Sequence, residues 1–363
     1  MTTASNARAL VFNAPGDPLR LESHPYPVPE AGEVLVRVRC CTVCGSDLHS
    51  MAAKRPVETP TVLGHEILGE VIATGGVVRF WGSDHPIVVG DRVTWSVSVS
   101  CGTCRLCERG LPQKCDALFK YGHAPMLTAG PFSGGLADVC LLRPRTAILP
   151  VPERLSDEVA APANCATATA VAALRAAGDV ASRNVLVQGA GLLGLTAAAM
   201  ATHAGARVLV AEPDPGRRAT AQHWGAAATA DPTQPDFDDH VRAFTDARGF
   251  DIALEVSGAP AALAQGLASL GIGGAFVLVG AVLPSAPWPI DPEHIVRRLL
   301  RIQGVHNYAP LDLRDALRFL EEAQERYPFS EAVVSRHGLE DHEPALERAR
   351  QSDALRVAFV PEA

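Results

Sequence analysis

Lysine is almost absent from this chain of 363 residues and occurs only at Lys54, Lys114 and Lys120, with arginine making up the rest of the 32 basic side chains. Acidic side chains number 40, so the formal net charge is −8 at pH 7. Proteins that bind nucleic acids usually carry a basic patch, and this balance argues against a nucleic-acid partner. Because lysine is so scarce, a lysine near a functional motif is a better clue than any single arginine.

Long apolar runs are also lacking, since no stretch reaches the ~18 apolar residues that would cross a bilayer. The most apolar stretch, residues 160–177, contains Asn164 and Arg175 and is rich in alanine. The amino terminus lacks the basic segment and the roughly 7 to 15 apolar residues of a secretory signal. We therefore expect a cytoplasmic protein with no membrane span, long enough for two domains of ~100–200 residues.

The first part of the chain and its middle part carry different secondary-structure signals. Between residues 33 and 93, short β-rich segments alternate with glycine and proline, which is typical of irregular β structure. From Ser156, which precedes DEVA like a helix cap, alanine-rich helical segments alternate with apolar strands. The predicted strands are residues 185–188, 208–212, 252–256 and 275–280. This alternation predicts an α/β fold with a doubly wound parallel sheet.

The same signals predict the domain organisation. Residues 1–155 would form the first part of a catalytic domain, with a cysteine-rich lobe at about residues 94–125. Residues 156–299 would form an inserted nucleotide-binding domain. Residues 300–363, where the pattern becomes less regular, would return to the first domain.

The nine cysteines are clustered, which in a cytoplasmic chain indicates metal binding or catalysis rather than a disulfide framework. Four of them have the spacing C-x2-C-x2-C-x7-C, namely Cys101, Cys104, Cys107 and Cys115. Four thiolates suit zinc in a tetrahedron with Zn–S distances of about 2.3 Å, and they leave no open position. We therefore expect a structural zinc ion that orders the lobe. Two disulfides, a redox pair and an iron–sulfur cluster are the alternatives.

Two further segments, Cys44-Gly-Ser-Asp-Leu-His49 and Gly64-His65-Glu66, supply the ligand types of a catalytic zinc. Each segment alone is a weak signal, because Ser46 could cap a helix and His65 could be a polar core residue. Their occurrence together, in a chain with a separate four-thiolate site, favours a metal centre. An open zinc site needs a third protein ligand, and the residues alone leave the choice open among Cys40, Cys41, Cys140 and Cys165.

The segment Gly189-Ala-Gly191-Leu192-Leu193-Gly194 matches G-x-G-x-x-G, with an apolar strand before it and a helical segment after it. In such a loop the first glycine makes the tight turn, the second admits a pyrophosphate to the helix amino terminus, and the third permits close packing. The next strand ends at Glu212, whose carboxylate would bind ribose hydroxyls and repel a 2′-phosphate. NAD is therefore preferred over NADP, although Arg217 and Arg218 lie nearby.

The motifs CGSDLH, GHE, VVGDRV, the four-cysteine lobe, GGLADV and GAGLLG occur in this order. Over nearly its whole length the chain resembles zinc-dependent members of the medium-chain dehydrogenase/reductase family, the alcohol dehydrogenases and their relatives. The resemblance implies a Rossmann domain inserted in a β-rich GroES-like catalytic domain, and a homodimer or homotetramer joined through the nucleotide-binding domains. It also implies an enzyme with two zinc ions per chain that transfers hydride reversibly between a small alcohol and NAD.

Matched position by position, the resemblance makes Cys165 the third ligand of the catalytic zinc, beside Cys44 and His65. The zinc would polarise the substrate oxygen and favour the alkoxide. Family members that oxidise polyols usually carry Glu at the position of Cys165, so this cysteine favours the alcohol and threonine dehydrogenases. Without the resemblance, Cys165 would be interpreted as a small core residue.

The same match assigns roles around the metal. Ser46 would accept the alcohol proton, and His49 would deliver it to solvent through the cofactor ribose, unless His49 is simply a solvated loop residue. Asp47 would orient the ligand His65. Glu66 would be a carboxylate beside the metal or an occasional replacement ligand.

The resemblance also places residues around the cofactor. Arg217 would touch the adenosine ribose while NAD is still preferred, and Arg356 would lie near the pyrophosphate. The nicotinamide end would be surrounded, in part through backbone contacts, by Thr169, Val256, Val279, Gly280, Ala281, Val305 and Asn307.

The strings PANCATATA, GLPQKCD, KYGH and GVHNYAP most resemble the family branch associated with phosphonate catabolism. That branch implies a small alcohol or aldehyde that carries a phosphonate, held by fixed positive charge. The candidate side chains are Lys54, Arg55, Lys120 and His123. A threonine- or polyol-type dehydrogenase is the alternative activity. A zinc-free quinone reductase and a non-catalytic binding protein fit less well, because the motif positions are all filled.

Overall fold

The computed structural model describes residues 6–361, which divide into two compact units. The first unit contains the described residues through Cys165, together with Ala309–Gln324 and the residues from Phe329 onward. The second unit contains Ala166–Tyr308 and Glu325–Pro328. The second unit is therefore inserted into the sequence of the first.

The unit boundaries differ from the predicted domain boundaries at both ends of the insertion. Residues 156–165 belong to the first unit, where the Asn164 side chain donates to the carbonyl of Trp95 at 3.0 Å and accepts from the backbone N–H of Ile67 at 3.3 Å. Residues 300–308 belong to the second unit, because strand Arg301–Gly304 extends its sheet. Both assignments depend on partners far away in the sequence.

Residues 6–361 form the following strands and helices, numbered in chain order. The strands are β1 Asn6–Phe12, β2 Arg20–Pro25, β3 Val34–Thr42, β4 Thr61–Val62, β5 Glu66–Thr74, β6 Arg92–Trp95, β7 Ser98–Val99, β8 Phe119–Lys120, β9 Val139–Leu142, β10 Ile148–Pro150, β11 Asn184–Gln188, β12 Arg207–Ala211, β13 Ala228–Ala230, β14 Phe250–Glu255, β15 Leu270–Leu278, β16 Arg301–Gly304, β17 Val333–His337 and β18 Arg356–Phe359. The helices are α1 Gly45–Met51, α2 Arg105–Glu108, α3 Met126–Ala129, α4 Asp157–Ala160, α5 Ala166–Ala177, α6 Leu192–His203, α7 Pro215–His223, α8 Phe237–Phe244, α9 Pro260–Ser269, α10 Pro292–Arg298, α11 Pro310–Ala323 and α12 His342–Ala349. Short 3-10 turns occur at Pro112–Lys114, Ala161–Asn164, Phe329–Glu331 and Leu339–Asp341.

The first unit is built on a mixed sheet with the order β10-β6-β5-β3-β18-β17, in which β9 also pairs with β3. The long strand β3 is central and runs antiparallel to β5, β9 and β18. Its alternating apolar residues Val34, Val36 and Val38 are fully buried, as a strand with one face on a core requires. A smaller sheet, β2-β1-β4, and the pair β7-β8 complete the unit.

The second unit contains a parallel sheet with the order β13-β12-β11-β14-β15-β16. The predicted doubly wound sheet is confirmed, and the four predicted strands correspond to β11, β12, β14 and β15. Two further strands were not predicted: β13, which is short, and β16, whose residues are all exposed and so lack an apolar signal. The strand order reverses between β11 and β14, which is where such sheets bind ligands at their carboxyl edge.

Within residues 6–361, no helix has the length and apolar character needed to span a membrane.

Candidate functional site

Helix α1 places the first candidate metal ligand at its amino end. Cys44 is the N-cap of α1, and its backbone N–H donates to Asp47 Oδ2 at 2.9 Å. The other carboxylate oxygen, Oδ1, lies 3.1 Å from His65 Nδ1 and accepts from the backbone N–H of Gly64 at 3.4 Å. Asp47 is only 1% exposed. One buried carboxylate therefore fixes both segments and leaves His65 Nε2 as the nitrogen that can face a metal.

The predicted ligands of the catalytic zinc lie together in the first unit. His65 Nε2 is 3.4 Å from Cys165 Sγ and 3.4 Å from Ser46 Oγ, and Cys165 Sγ is 4.0 Å from Cys44 Sγ. The ligand atoms of these two cysteines, His65 and Glu66 all lie within 4.8 Å of one another. Two thiols and an imidazole form the donor set of a zinc site that keeps a position open for substrate.

The three predicted ligands have shifted pKa values. A hydrogen bond from Cys165, with the nearby Arg356 and His65, lowers the pKa of Cys44 well below that of an ordinary thiol, and the same hydrogen bond together with burial raises the pKa of Cys165. Burial alone would lower the pKa of His65, but Asp47 and Cys44 together outweigh burial and raise it to about 10. A metal ion must therefore displace protons when it binds, and its affinity falls as the pH falls.

Glu66 is fully buried and paired with an arginine. Its carboxylate accepts hydrogen bonds from Arg356 Nε at 2.6 Å and Nη2 at 2.8 Å, and from Thr42 Oγ1 at 2.6 Å. Arg356 also donates to the carbonyl of Leu355 at 2.7 Å and lies 3.7 Å from Cys44 Sγ. The guanidinium thus compensates the carboxylate charge beside the cluster. Most of its donors are used within the first unit, and a contact with a pyrophosphate stays a prediction.

The four-cysteine lobe has the geometry of a closed metal site. Cys104 Sγ lies 3.5 Å from Cys107 Sγ and 3.9 Å from Cys115 Sγ, and all four sulfurs are within 4.8 Å of one another. A tetrahedron with bonds of about 2.3 Å has edges of ~3.8 Å, so the spacing fits zinc. Hydrogen bonds from Thr103 lower the pKa of Cys101 to about 6. Helix α2 in this lobe has no buried residue, so a metal rather than a core would order it.

The other three cysteines belong to neither of the two groups of candidate metal ligands. Cys40, Cys41 and Cys140 are fully buried in the sheet of the first unit, and burial raises the pKa of each thiol well above its ordinary value. All nine cysteines of the chain are free thiols. These three are therefore core residues without thiolate character.

The glycine-rich loop of the second unit joins β11 to α6. Gly189 has φ +114°, and a Cβ on Gly194 would lie 1.9 Å from the carbonyl oxygen of Gly189, so both positions require glycine. Gly191, the N-cap of α6 with φ −74°, differs because a Cβ there would meet no atom within 4 Å. The fold does not require glycine at this position. The open space beside the helix amino end, where Leu192 and Leu193 begin, suits the pyrophosphate of a dinucleotide.

A cleft of about 250 Å³ borders this loop and is lined in part by Gly189, Glu212 and Thr233. Glu212 is 7% exposed, and its Oε2 accepts from the backbone N–H of Ala190 at 2.8 Å while Oε1 accepts from that of Asp214 at 3.1 Å. The carboxylate therefore faces the loop from the end of β12, as a ribose-binding acid should.

Backbone hydrogen bonds fix the carboxyl ends of the next strands. Val279 and Gly280 donate to the carbonyl of Glu255 at 2.8 and 2.9 Å, and Val305 donates to the carbonyl of Leu278 at 2.8 Å. The other predicted cofactor contacts lie in the same unit: Thr169 half-buried on α5, Arg217 on α7, Val256 after β14, Ala281 exposed, and Asn307 with φ +57°. Most of the predicted set thus follows strand ends at one edge of the sheet.

The four candidate substrate-binding side chains differ in their surroundings. Arg55 donates through Nη1 to His123 Nε2, and the ring of His123 packs edge-on against His65 with 5.0 Å between centroids. Lys120 is half-buried, and burial together with the charges of Arg55 and Lys114 lowers its pKa to about 8. Lys54 is exposed, and no contact of its side chain is found in the described part of the chain.

Two residues that shape the site, Asn164 and Gly122, were not predicted from the sequence. Asn164 pins the turn that ends at Cys165, and the signal for it is a polar side chain among the apolar residues of PANC. Gly122 has φ +72°, and a Cβ there would lie 2.5 Å from the carbonyl oxygen of Gly64. Because Gly122 has no side chain, the segment KYGH can pack directly against the backbone of Gly64, the residue before His65.

Comparisons with known proteins identify the family. Residues 30–153 match the alcohol dehydrogenase GroES-like domain, and residues 193–322 match the zinc-binding dehydrogenase domain. The chain is 32% identical over 348 residues to L-threonine 3-dehydrogenase of Streptomyces avermitilis, which covers 93% of this chain and 95% of that protein. It belongs to the zinc-dependent medium-chain dehydrogenase/reductase family of alcohol dehydrogenase-like proteins. Members act on small molecules with a nicotinamide cofactor, so the chain is an oxidoreductase.

Solved structures agree with this family and with the predicted GroES-like and Rossmann architecture. An alcohol dehydrogenase from Thermotoga maritima has a TM-score of 0.93 and 28% identity, and the match covers 99% of this chain and all of the other. A zinc-binding dehydrogenase from Sinorhizobium meliloti, solved with NADP bound, has a TM-score of 0.86 and 26% identity, with 98% of this chain and all of the other covered.

Replacing Glu66 by Gln should destabilise the first unit by ~3–5 kcal/mol, because it leaves the buried charge of Arg356 uncompensated. Urea unfolding followed by circular dichroism measures this. Glu70→Gln on the same strand is the matched control, since its partner Arg39 is partly exposed, and it should cost less than ~1 kcal/mol. Equal stability of the two variants would contradict the role of the pair.

Proposed function

We propose that the protein is a zinc-dependent, NAD-linked dehydrogenase that transfers hydride reversibly between a small alcohol and the cofactor. The observation that carries this proposal is the convergence of Cys44, His65 and Cys165, with Ser46 beside the metal-facing nitrogen of the histidine. The glycine loop with Glu212 supplies a nucleotide site in the second unit.

Two zinc ions per chain fit the two donor sets. Cys44, His65 and Cys165 would hold the catalytic ion, which as a Lewis acid polarises the oxygen of the substrate. Glu66 keeps its carboxylate on Arg356, so three protein ligands leave one position for substrate. Cys101, Cys104, Cys107 and Cys115 would hold the structural ion.

The proton of the alcohol leaves through side chains of α1. Support comes from Ser46 Oγ, which lies 3.4 Å from His65 Nε2 and would accept the proton from a substrate oxygen on the metal. His49 follows three residues later on the same helix, on the same face, and is half-buried, so it can pass a proton to solvent.

The preference for NAD rests on the charge around Glu212. A 2′-phosphate would meet this carboxylate at the end of β12. The nearby Arg218 could offset it, but its guanidinium already donates to the carbonyls of Glu212 and Pro213, each at 2.7 Å, and lies 3.4 Å from an oxygen of Asp231. All three contacts are made by Nη1, so protein acceptors hold that nitrogen of the guanidinium close to the end of β12.

The substrate that we propose is a small alcohol or aldehyde with a phosphonate group. Support comes from Arg55 and Lys120: in residues 6–361 neither has a carboxylate partner, and both lie around His123, which packs on His65. L-Threonine is the second candidate, favoured by the similarity to the Streptomyces avermitilis enzyme. Cys165, rather than glutamate, argues against a polyol.

A homodimer or homotetramer is proposed through the second unit. Strand β16 lies at the end of the parallel sheet with all four residues exposed, so its outer edge offers unpaired backbone groups. Val296 and Leu299 nearby are apolar and exposed. A second copy that pairs along this edge would cover both features.

Protein loaded with zinc should contain two zinc ions per chain by mass spectrometry and should form NADH from a small alcohol. Cys165→Ala should lose one ion and at least ~100-fold in kcat/KM, because polarisation by a metal is worth several kcal/mol. Cys140→Ala, which alters a cysteine outside both clusters, should keep both ions and the activity. Full activity of Cys165→Ala would refute the catalytic assignment.

Gly191→Ala should bind NAD about tenfold or more weakly, because the added methyl group occupies the space proposed for the pyrophosphate. Its thermal midpoint should equal that of the parent, since the methyl group meets no protein atom. Gly194→Ala is the contrasting variant and should lower the midpoint. Titration calorimetry with NAD and NADP measures both affinity and preference, and undiminished NAD binding by Gly191→Ala would exclude this site.

2-Hydroxyethylphosphonate should be oxidised with a kcat/KM at least ~10-fold above that of 1-propanol, because charge-assisted hydrogen bonds to the phosphonate are available only to the former. NADH absorbance measures both, with L-threonine in the same panel. Equal values for phosphonate and neutral alcohol would remove the phosphonate proposal, and a clear preference for L-threonine would replace it with the second candidate.

A further inference from the structure

The segment Lys120–His123 is held rigidly beside the metal-ligand cluster. Tyr121 is fully buried, and its hydroxyl is bonded to Thr146 Oγ1 at 2.6 Å and to the backbone N–H of Arg143 at 2.8 Å. Its backbone N–H donates to the carbonyl of Val97 at 2.9 Å. Together with the close approach of Gly122 to the chain before His65, these bonds make the carbonyl of Tyr121 a fixed acceptor.

That carbonyl determines the orientation of His123. His123 Nδ1 lies 3.1 Å from the Tyr121 oxygen, and a carbonyl can only accept, so Nδ1 carries the hydrogen. The guanidinium of Arg55 can only donate, so Nε2 is the acceptor in the bond between the two side chains. Both ring nitrogens are therefore used, and His123 has no hydrogen-bonding group left for a substrate.

Arg55 is placed from the other side by helix α1. Its backbone N–H donates to the carbonyl of His49 at 3.2 Å, directly after the helix that begins at Cys44. Arg55 is thus bonded through its backbone to the helix that supplies a predicted metal ligand, and through Nη1 of its guanidinium to a ring that packs on His65. For the other N–H donors of the guanidinium, no partner is found among residues 6–361.

Lys120 is a second cation, on the segment that carries His123, and its charge interacts with that of Arg55. It lines a cavity of about 420 Å³ together with Phe119, His123 and Arg143. Among residues 6–361, no hydrogen bond or ion pair is found for the Lys120 side chain, although it is half-buried. Like charges brought together without a carboxylate destabilise a protein, so this arrangement calls for an anionic occupant.

We propose that His123 is a positioning residue: by holding the guanidinium of Arg55 beside the metal-ligand cluster, it lets Arg55, together with Lys120, bind the anionic end of the substrate. The proposal rests on the proposed function for the reacting end of that substrate. From the sequence, Arg55, Lys120 and His123 had one shared role in binding the substrate. In the structure, His123 acts through Arg55 and does not bind the substrate itself.

Methylphosphonate, which has no hydroxyl group to oxidise, tests the anion site without turnover. Calorimetry on the zinc-loaded chain should detect its binding, and Arg55→Gln and Lys120→Met should each weaken binding on the order of 10- to 100-fold. Arg20→Gln, which removes an exposed arginine of β2, is the charge-matched control and should bind like the parent. Absence of binding, or equal binding by all variants, would overturn the proposal.

The positioning role is tested by a double-mutant cycle on kinetics. His123→Phe keeps the ring against His65 but removes the acceptor, so KM for 2-hydroxyethylphosphonate should rise on the order of 10-fold or more, and by a larger factor than KM for 1-propanol or the loss in kcat. His123→Gln, which retains an acceptor, should restore much of the loss. In the Arg55→Gln background His123→Phe should have no further effect.

The outcomes separate this proposal from the proposed function. Additive effects of His123→Phe and Arg55→Gln, or equal losses for 1-propanol and the phosphonate, would overturn the positioning role while dehydrogenase activity stands. A second outcome is that methylphosphonate binding depends on Arg55 and His123, but none of the alcohols tested leads to reduction of NAD. That outcome would support the anion site and refute the proposed function.

Discussion

The buried carboxylate of Asp47 is the interaction on which the first unit's site depends. It closes the amino end of α1 through Cys44 and fixes the ring of His65 through Nδ1. Because the same side chain serves both contacts, the position of one candidate ligand cannot change without the other. This coupling explains how two segments separated by about 20 residues of sequence, each weak as a signal, present their ligand atoms to one point.

Near that carboxylate lie one compensated pair of charges, Glu66 and Arg356, and two cations without an acidic partner in the described residues, Arg55 and Lys120. The carboxylate of Glu66 lies within 4.8 Å of the ligand atoms of Cys44, His65 and Cys165, and its hydrogen bonds with Arg356 compensate its charge there. Beyond His65, the cations of Arg55 and Lys120 have no acid partner in the described residues. The ring of His123 therefore lies between the predicted metal ligand His65 and the guanidinium of Arg55, to which we assign the proposed anion site.

Features set by residues close together in the sequence could be predicted, and features set by contacts between distant residues could not. Local spacing was sufficient for the four-cysteine lobe, for the glycine loop and for strands β11, β12, β14 and β15. The choice of Cys165 among four cysteines required family resemblance, because only long-range packing through Asn164 brings that residue to His65. The Arg55–His123 bond, the partner of Arg356 and the ends of the inserted unit depend on residues far apart in the chain, which no local pattern encodes.

The pairing of Glu66 with Arg356 joins side chains separated by 290 positions, and strand β18, which carries the arginine, pairs directly with β3. During synthesis the ribosome therefore releases the whole second unit before the first unit can be completed. Until β18 is made, the carboxyl end of β3 at Cys41 and Thr42 lacks this neighbour, and Glu66 lacks the partner that compensates its charge. The predicted ligands Cys44, His65 and Cys165 all precede the second unit in the sequence, so they are synthesised before it, whereas the ion pair beside them can form only after it.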